Sequence, residues 1–368
     1  MKIIHVAGAR PNFMKIAPIM KELDTYSEHD QLLVHTGQHY DANMSQVFFD
    51  DLGMRTPDIH LNIGSGSHAQ QTAAVMIAFE KVCIEHKPDA VLVVGDVNST
   101  VAASLVCAKL WIPCVHVEAG LRSRDLKMPE EINRLVTDRL ADLLLTPSPD
   151  GDENLLAEGV AAEKILCVGN IMIDTLLDNC SRAQQQHPVS QWQVKPDEYA
   201  VLTLHRPSNV DDPETFGQII AAIQELSANI PMVFPVHPRT RSKLESFALD
   251  TKLIQTPGVK IIEPLGYLPF MSLTSQAKLV LTDSGGLQEE TTALGIPCIT
   301  IRENTERPIT VSEGTNVLTG ANPQHIIAEA KQVLEGNKKK GSVPKLWDGK
   351  TAQRIVAALI RRYSTTVA

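Results

Sequence analysis

Ala90-Val91-Leu92-Val93-Val94 runs straight into Gly95-Asp96-Val97-Asn98-Ser99-Thr100. Five apolar residues without alternation fit a strand covered on both faces, as in a parallel sheet flanked by helices. A helix is predicted next, over Ser99–Leu110, with Asn98 and Ser99 placed to cap it, which leaves Asp96 free at the strand end. The same unit recurs on either side. Lys2–Ala7 is a strand followed by a Gly8-Ala9-Arg10-Pro11 turn and a helix from about Phe13 to Leu23. Gln31–Thr36, Cys114–Val117, Leu143–Leu145 and Ile165–Val168 are further strands, with helices over Ala69–His86 and Glu130–Leu140. Strands that alternate with helices of this length require crossover connections and hence parallel sheets.

Arg182–Pro196 is polar, holds two prolines and breaks the rhythm, which restarts at Tyr199–Leu204 and continues through Met232–Val236, Val259–Ile262, Leu279–Thr282 and Cys298–Ile301. The expected fold class is therefore α/β, with two doubly wound Rossmann-like domains facing across a cleft. The first spans residues 1–170, with the C-terminal helix of about 352–368 packing back on it, and the second spans 171–351. A length of 368 residues agrees with two domains. Doubly wound sheets bind ligands at the carboxyl ends of their strands, so the ligand is expected there.

The composition, 43% hydrophobic and 21% charged, excludes a disordered or fibrous chain. A net charge of −9 disfavours nucleic acid as a partner. The six cysteines lack CxxC spacing, so neither a zinc knuckle nor a redox pair is predicted. MKIIHVAGAR has no apolar stretch of signal-peptide length, and no run of 18 apolar residues occurs. A soluble cytoplasmic enzyme without a membrane partner is expected. The lysine triplet Lys338–Lys340 is read as a solvated loop.

Several strand ends carry chemistry. Gly8-Ala9-Arg10 precedes a helix N-terminus, where Arg10 can clamp a diphosphate and Lys15 lies one turn further on. Asp96, Glu118 in His116-Val117-Glu118-Ala119-Gly120-Leu121-Arg122, and one of Glu130 and Glu131 in Met128-Pro129-Glu130-Glu131 converge on one sheet edge. The helix dipole alone explains one glutamate of the last pair, while a cluster of carboxylates suits acid–base work. In the second half, His205 and His237 follow strands. Thr282-Asp283-Ser284-Gly285-Gly286 leads into a helix whose amides suit a phosphate, with Glu290 in reach of ribose hydroxyls. Arg302 and Arg307 join that edge. A nucleotide diphosphate held by the second half, with its sugar turned toward the first, is what a nucleotide-sugar enzyme requires.

The blocks GARPNFMK, GDVNST, HVEAGLR, MPEEINR, LHRPSN, HPR, TDSGGLQEE and RENTERP, taken together, resemble the non-hydrolysing UDP-N-acetylglucosamine 2-epimerases, which look like two-domain GT-B glycosyltransferases. The resemblance implies reversible C2 epimerisation of UDP-GlcNAc to UDP-ManNAc by anti elimination of UDP and re-addition, feeding surface polysaccharide synthesis. It implies no cofactor and no metal, a UDP-sugar as partner, and a homodimer. Asp96, Glu118 and Glu130 would be the acid–base carboxylates, with His205 at the reacting sugar. Arg10, His237, Ser284, Gly285, Gly286 and Arg307 would bind the diphosphate, Glu290 the ribose and Lys15 the active-site anions, with Phe270 near the uracil. The competing readings are a 2-epimerase of a related sugar such as UDP-diacetamido-glucuronic acid, a GT-B glycosyltransferase, a hydrolysing relative and a nucleotide-sugar sensor. GARPN, GDVNST and HRPSN depart from the family's GTRPE, GDTTST and HRRE. Gln38–Met44 carries two residues more than the family's QHxxM block, so the resemblance does not extend activation by a second substrate molecule to this chain.

Overall fold

The computed structural model describes residues 1–37, 49–50 and 52–364. The Gln38–Met44 block lies outside the described residues. The chain divides into two compact units, residues 1–175 with 345–368, and residues 176–344.

The first unit is built on seven parallel strands: β1 (Lys2–Ala7), β2 (Asp30–His35), β3 (Ile59–His60), β4 (Ala90–Val94), β5 (Cys114–Val117), β6 (Leu143–Thr146) and β7 (Ile165–Cys167). Their order is β3-β2-β1-β4-β5-β6-β7. All five β4 residues are buried, as its unbroken apolar run requires. Helices His68–His86 and Asn98–Leu110 cover one face, burying Val75, Phe79, Val106 and Cys107 against Ile4, Val6, Val91 and Val93.

The second unit repeats the plan with β8 (Ala200–Thr203), β9 (Met232–Pro235), β10 (Val259–Ile262), β11 (Leu279–Thr282), β12 (Cys298–Thr300) and β13 (Asn316–Leu318). The order is β10-β9-β8-β11-β12-β13, again all parallel. In each sheet the winding reverses beside the first strand, between β1 and β4 and between β8 and β11. Open α/β sheets bind ligands at that switch point, because the crossovers leave on opposite sides and open a crevice beyond the strand ends.

Three local expectations are corrected. The chain from Arg182 is not irregular throughout, since a helix covers Ile171–Gln186. Met172, Ile173, Leu176 and Ala183 form a buried stripe along it, and that burial outweighs the polar composition. Asn98 and Ser99 do not cap their helix. Val97 holds the N-cap without a side-chain bond, Asn98 Nδ2 donates to Gln71 (2.8 Å) and the Ser99 hydroxyl bonds Thr36 (2.8 Å). Lys339 is tucked in, its Nζ donating to the carbonyls of Val311 and Asn316, while Lys338 and Lys340 are exposed.

The C-terminal helix Thr351–Tyr363 belongs to the first unit. Asp174 accepts the backbone N–H groups of Thr351 (3.1 Å) and Ala352 (2.7 Å), capping it. Buried Trp347 donates to the Pro147 carbonyl at 3.0 Å. Gly169, at φ +94°, is obligatory here, because a Cβ would lie 2.2 Å from the Leu346 carbonyl oxygen.

Candidate active site

In the first unit the turn after β1 is tied to the switch point by Asn12. Its Oδ1 accepts the amides of Gly8 (3.0 Å) and Ala9 (2.9 Å), while Nδ2 donates to the Val94 carbonyl at the end of β4 (3.1 Å). Arg10 is the first residue of the helix Arg10–Leu23 and is half-buried. Lys15, on the second turn, is buried and its Nζ bonds the Glu118 carboxylate.

Asp96 and Glu118 follow neighbouring strands, since Val94 lies opposite Val117 in the β4–β5 register. Gly95, at φ +67°, brings the surrounding groups close. A Cβ there would lie 3.1 Å from Lys15 Nζ and 3.4 Å from Glu118 Oε2. Glu118 itself adopts φ +72°, a left-handed conformation that costs a non-glycine residue about 1–2 kcal/mol and recurs at functional sites. Arg134, from the helix Pro129–Leu140, donates to Asp96 at 2.5 Å, and Asn133 Nδ2 donates to the Asp96 carbonyl at 2.8 Å.

Glu130 and Glu131 are now distinguished. Glu131 is buried, accepting Ser123 N (2.9 Å), Arg124 N (2.9 Å) and Arg134 Nη2 (2.8 Å). Burial opposes its ionisation, but those donors together hold the carboxyl below its usual range. Glu131 thus organises the loop. Glu130 is half-buried and shares a helix face with Asn133 and Arg134, at i+3 and i+4, both of which hold Asp96. Beneath the site, His116 Nδ1 donates to Asp138 (2.6 Å) and Nε2 to the Gly95 carbonyl (2.8 Å). Arg122 adds a 2.7 Å bond to Asp138, whose carboxyl these partners keep low despite its burial.

In the second unit, β8 and β11 lie side by side with Thr203 opposite Thr282. The helix Gly285–Leu294 starts directly after β11, and Ser284 at its N-cap makes no side-chain bond to its amides. Those N–H groups and the helix dipole favour negative charge beyond the strand end. Gly285 packs closely, since a Cβ would lie 2.8 Å from Glu306 Oε1 and 2.9 Å from Arg307 Nη1, whereas one at Gly286 would meet nothing within 4 Å. Arg307 pairs with Glu289 and Glu306, both at 2.8 Å, and Arg302 pairs with Glu306 at 2.9 Å. Burial opposes charge on Glu306, but the two guanidinium groups hold it far below the usual carboxylate range. Arg307 therefore brings its charge to this edge already shared with carboxylates. Glu290 is buried, and desolvation with the Glu289 charge pushes its pKa up to about 7.

His205, just beyond β8, donates through Nδ1 to Asp283 at 2.8 Å. His237 caps the helix Pro238–Ser246, its Nδ1 accepting the Arg239 amide at 3.2 Å. The two rings stand 5.8 Å apart. Desolvation and the His205 charge lower the His237 pKa. Phe270, on the helix Tyr267–Ser275, is half-buried against the cluster around Tyr199 and Leu273.

In the first unit Arg10 and Lys15 follow β1, Asp96 follows β4 and Glu118 follows β5, with Glu130 on the helix whose Asn133 and Arg134 hold Asp96. In the second, His205 follows β8 and Ser284, Gly285, Gly286 and Glu290 follow β11, while His237 follows β9 and Arg307 lies beyond β12 with its guanidinium close to Gly285. Phe270 comes from a different helix. Asn12, Arg134 and Asp283 stand inside the quoted motifs, but nothing in the motifs marks them for a role; their long-range partners do. Among the described residues, no cluster of three or more His, Cys, Asp or Glu side chains is arranged to hold a metal ion. No described helix is long and apolar enough to cross a membrane.

A family model described as UDP-N-acetylglucosamine 2-epimerase matches residues 21–360. UDP-N-acetylglucosamine 2-epimerase from Methanocaldococcus jannaschii is 43% identical over 364 residues, 98% of this chain and 99% of that protein. UDP-2,3-diacetamido-2,3-dideoxy-D-glucuronate 2-epimerase from Pseudomonas aeruginosa is 42% identical over 337 residues, covering 91% of this chain and 92% of its own. The crystal structure of the M. jannaschii enzyme in complex with UDP-GlcNAc and UDP superposes with a TM-score of 0.89 at 43% identity, over 98% of this chain and 100% of that one. Parallel sheets, switch-point residues and near full-length relatives agree, and the chain belongs to the UDP-N-acetylglucosamine 2-epimerase family.

Proposed function

We propose that the protein interconverts UDP-GlcNAc and UDP-ManNAc by inverting C2 of the sugar. The observation that carries this reading is the pair Asp96 and Glu118 at the ends of neighbouring strands, one held by Arg134 and the other by Lys15. The C2 proton is not beside a carbonyl, so elimination is the route that acidifies it. One of Asp96, Glu118 and Glu130 takes the proton while the C1–O bond breaks and its electron pair leaves with UDP, giving 2-acetamidoglucal. UDP then adds back to C1, and C2 takes a proton on the opposite face from another acid. Inversion needs groups on both faces of the ring, which accounts for several carboxylates.

In this proposal the second unit holds UDP. The amides at Ser284–Gly286, with Arg307, His205 and His237, offset the diphosphate charge that grows as C1–O breaks. Arg10 and Lys15 supply positive charge at the first unit's own switch point. Glu290 hydrogen-bonds the ribose hydroxyls, as a donor when protonated and an acceptor when ionised, and Phe270 lies by the uracil. The 42% identity to the diacetamido-glucuronate 2-epimerase supports a second reading, the same C2 chemistry on a sugar with other substituents at C3 and C6. We further propose a cytoplasmic homodimer whose product enters surface polysaccharide synthesis. All six cysteines are free thiols, which suits a reducing compartment. Trp111, Ile77 and Ile84 of the first unit are exposed at 92%, 64% and 59%, apolar side chains that a second copy would cover.

Incubation of UDP-GlcNAc with the protein in D2O, without acceptor, tests the reaction. Deuterium at C2 of UDP-ManNAc is the expected result. Unlabelled UDP-GlcNAc after prolonged incubation overturns it, and labelling of the diacetamido substrate alone selects the second reading.

A further inference from the structure

We infer that Asp283 is a positioning residue that sets the orientation and tautomer of His205, an inference that rests on the proposed role of His205 at the reacting sugar. Asp283 is fully buried, whereas the His205 side chain is 37% exposed. The carboxylate accepts five bonds. Two come from the His205 amide (3.1 and 2.9 Å), one from Arg206 N (2.8 Å), one from Asn209 Nδ2 (3.2 Å) and one from His205 Nδ1 (2.8 Å). The first four fix the loop after β8 to the strand end of β11. Asn209 is itself buried and anchored to the Ile301 carbonyl at 2.8 Å, so the acceptor cannot swing away.

The fifth bond has a chemical consequence. A carboxylate facing Nδ1 keeps the proton there, which leaves Nε2 as the nitrogen that meets the substrate. Neutral, that nitrogen accepts a proton; protonated, it donates to the departing diphosphate, and Asp283 stabilises the imidazolium. Buried acceptor, oriented ring and reacting group form the same logic by which a carboxylate holds a catalytic histidine in hydrolases. Burial opposes charge on Asp283, but His205 and the two amides outweigh it and keep the carboxyl below its usual range, so the acceptor is ionised.

The test is made on the full chain with 15N-labelled histidine. In the unaltered protein the neutral His205 ring is expected to carry its proton on Nδ1, and a proton on Nε2 overturns the inference without any mutation. In Asp283→Asn the amide group presents N–H to Nδ1, and the proton is expected to move to Nε2. C2 deuterium exchange should then fall about 100-fold or more, as for carboxylates that hold a catalytic histidine, while the affinity for UDP changes by less than about threefold. The double variant with His205→Gln should be no slower than His205→Gln alone, since the two residues act as a unit. Additive losses overturn the inference, as does full turnover of Asp283→Asn when His205→Gln is inactive. Full turnover of His205→Gln overturns the proposed role of His205 itself, a different failure.

Discussion

In Gly286→Ala the added methyl meets no heavy atom within 4 Å, and the position lies in the first turn of the helix Gly285–Leu294 with no positive φ. Removing glycine from a helix lowers the entropy of the unfolded chain and stabilises by about 0.5–1 kcal/mol. For a unit of this size that raises Tm by about 1–4 °C. On the proposed phosphate assignment, the same methyl stands where the diphosphate approaches the helix amides. Losing one such charge-assisted hydrogen bond costs about 1.5–3 kcal/mol, so the Kd for UDP should rise about 10–100-fold. Thermal unfolding and calorimetric titration with UDP read the two effects on one sample. A raised Tm with unchanged UDP affinity shows that the diphosphate does not sit on these amides, which refutes the phosphate assignment. Gly285→Ala should behave differently, because its methyl would press on Glu306 and Arg307 at 2.8 and 2.9 Å. It should lower Tm as well as affinity, with overpacking costing about 1–3 kcal/mol.

Arg134→Met leaves buried Glu131 and half-exposed Asp96 without their shared cation; stability should fall by about 3 kcal/mol in urea unfolding, and C2 exchange should be lost, whereas retained exchange would show that Asp96 needs no fixed partner. Glu290→Gln tests the carboxyl whose folded pKa of about 7 lies above its ordinary 4.5. The folded chain holds a proton that the unfolded chain releases, so this group costs nothing below about pH 4.5, its penalty grows as pH rises to 7, and above that it reaches at most about 3 kcal/mol. The variant should match the unaltered protein at pH 4 and exceed its stability at pH 8, and equal stabilities at pH 8 would show that Glu290 is solvated. On the proposed homodimer, Trp111→Glu with Ile77→Lys should reduce the sedimenting mass from two chains to one; a one-chain mass in the unaltered protein overturns the dimer, and an unchanged two-chain mass places its contact elsewhere.

The alternation of apolar strands with amphipathic helices, the parallel sheets and the family were legible without a structure. Each is a local signal: β4 reads as a buried strand from five consecutive residues, and TDSGGLQEE and RENTERP are contiguous blocks. Helix capping misled because Asn98 and Ser99 are engaged by Gln71 and Thr36 instead, and the polar segment after Arg182 misled because the buried stripe of Met172, Ile173, Leu176 and Ala183 carries a helix into it. The adjacent, identical side chains of Glu130 and Glu131 left the choice open, and only the resemblance pointed to Glu130; in the structure Ser123, Arg124 and Arg134 surround Glu131 alone. Asn12 bonds across 82 residues to Val94, Arg134 across 38 to Asp96, and Asp283 across 78 to His205. Strand propensity and motif spacing act within a few residues, whereas the partner of a buried charge is chosen by whichever strands the crossovers bring side by side. The local pattern therefore determined what kind of sheet this chain builds, and only the winding of that sheet decided which side chains hold one another at its switch points.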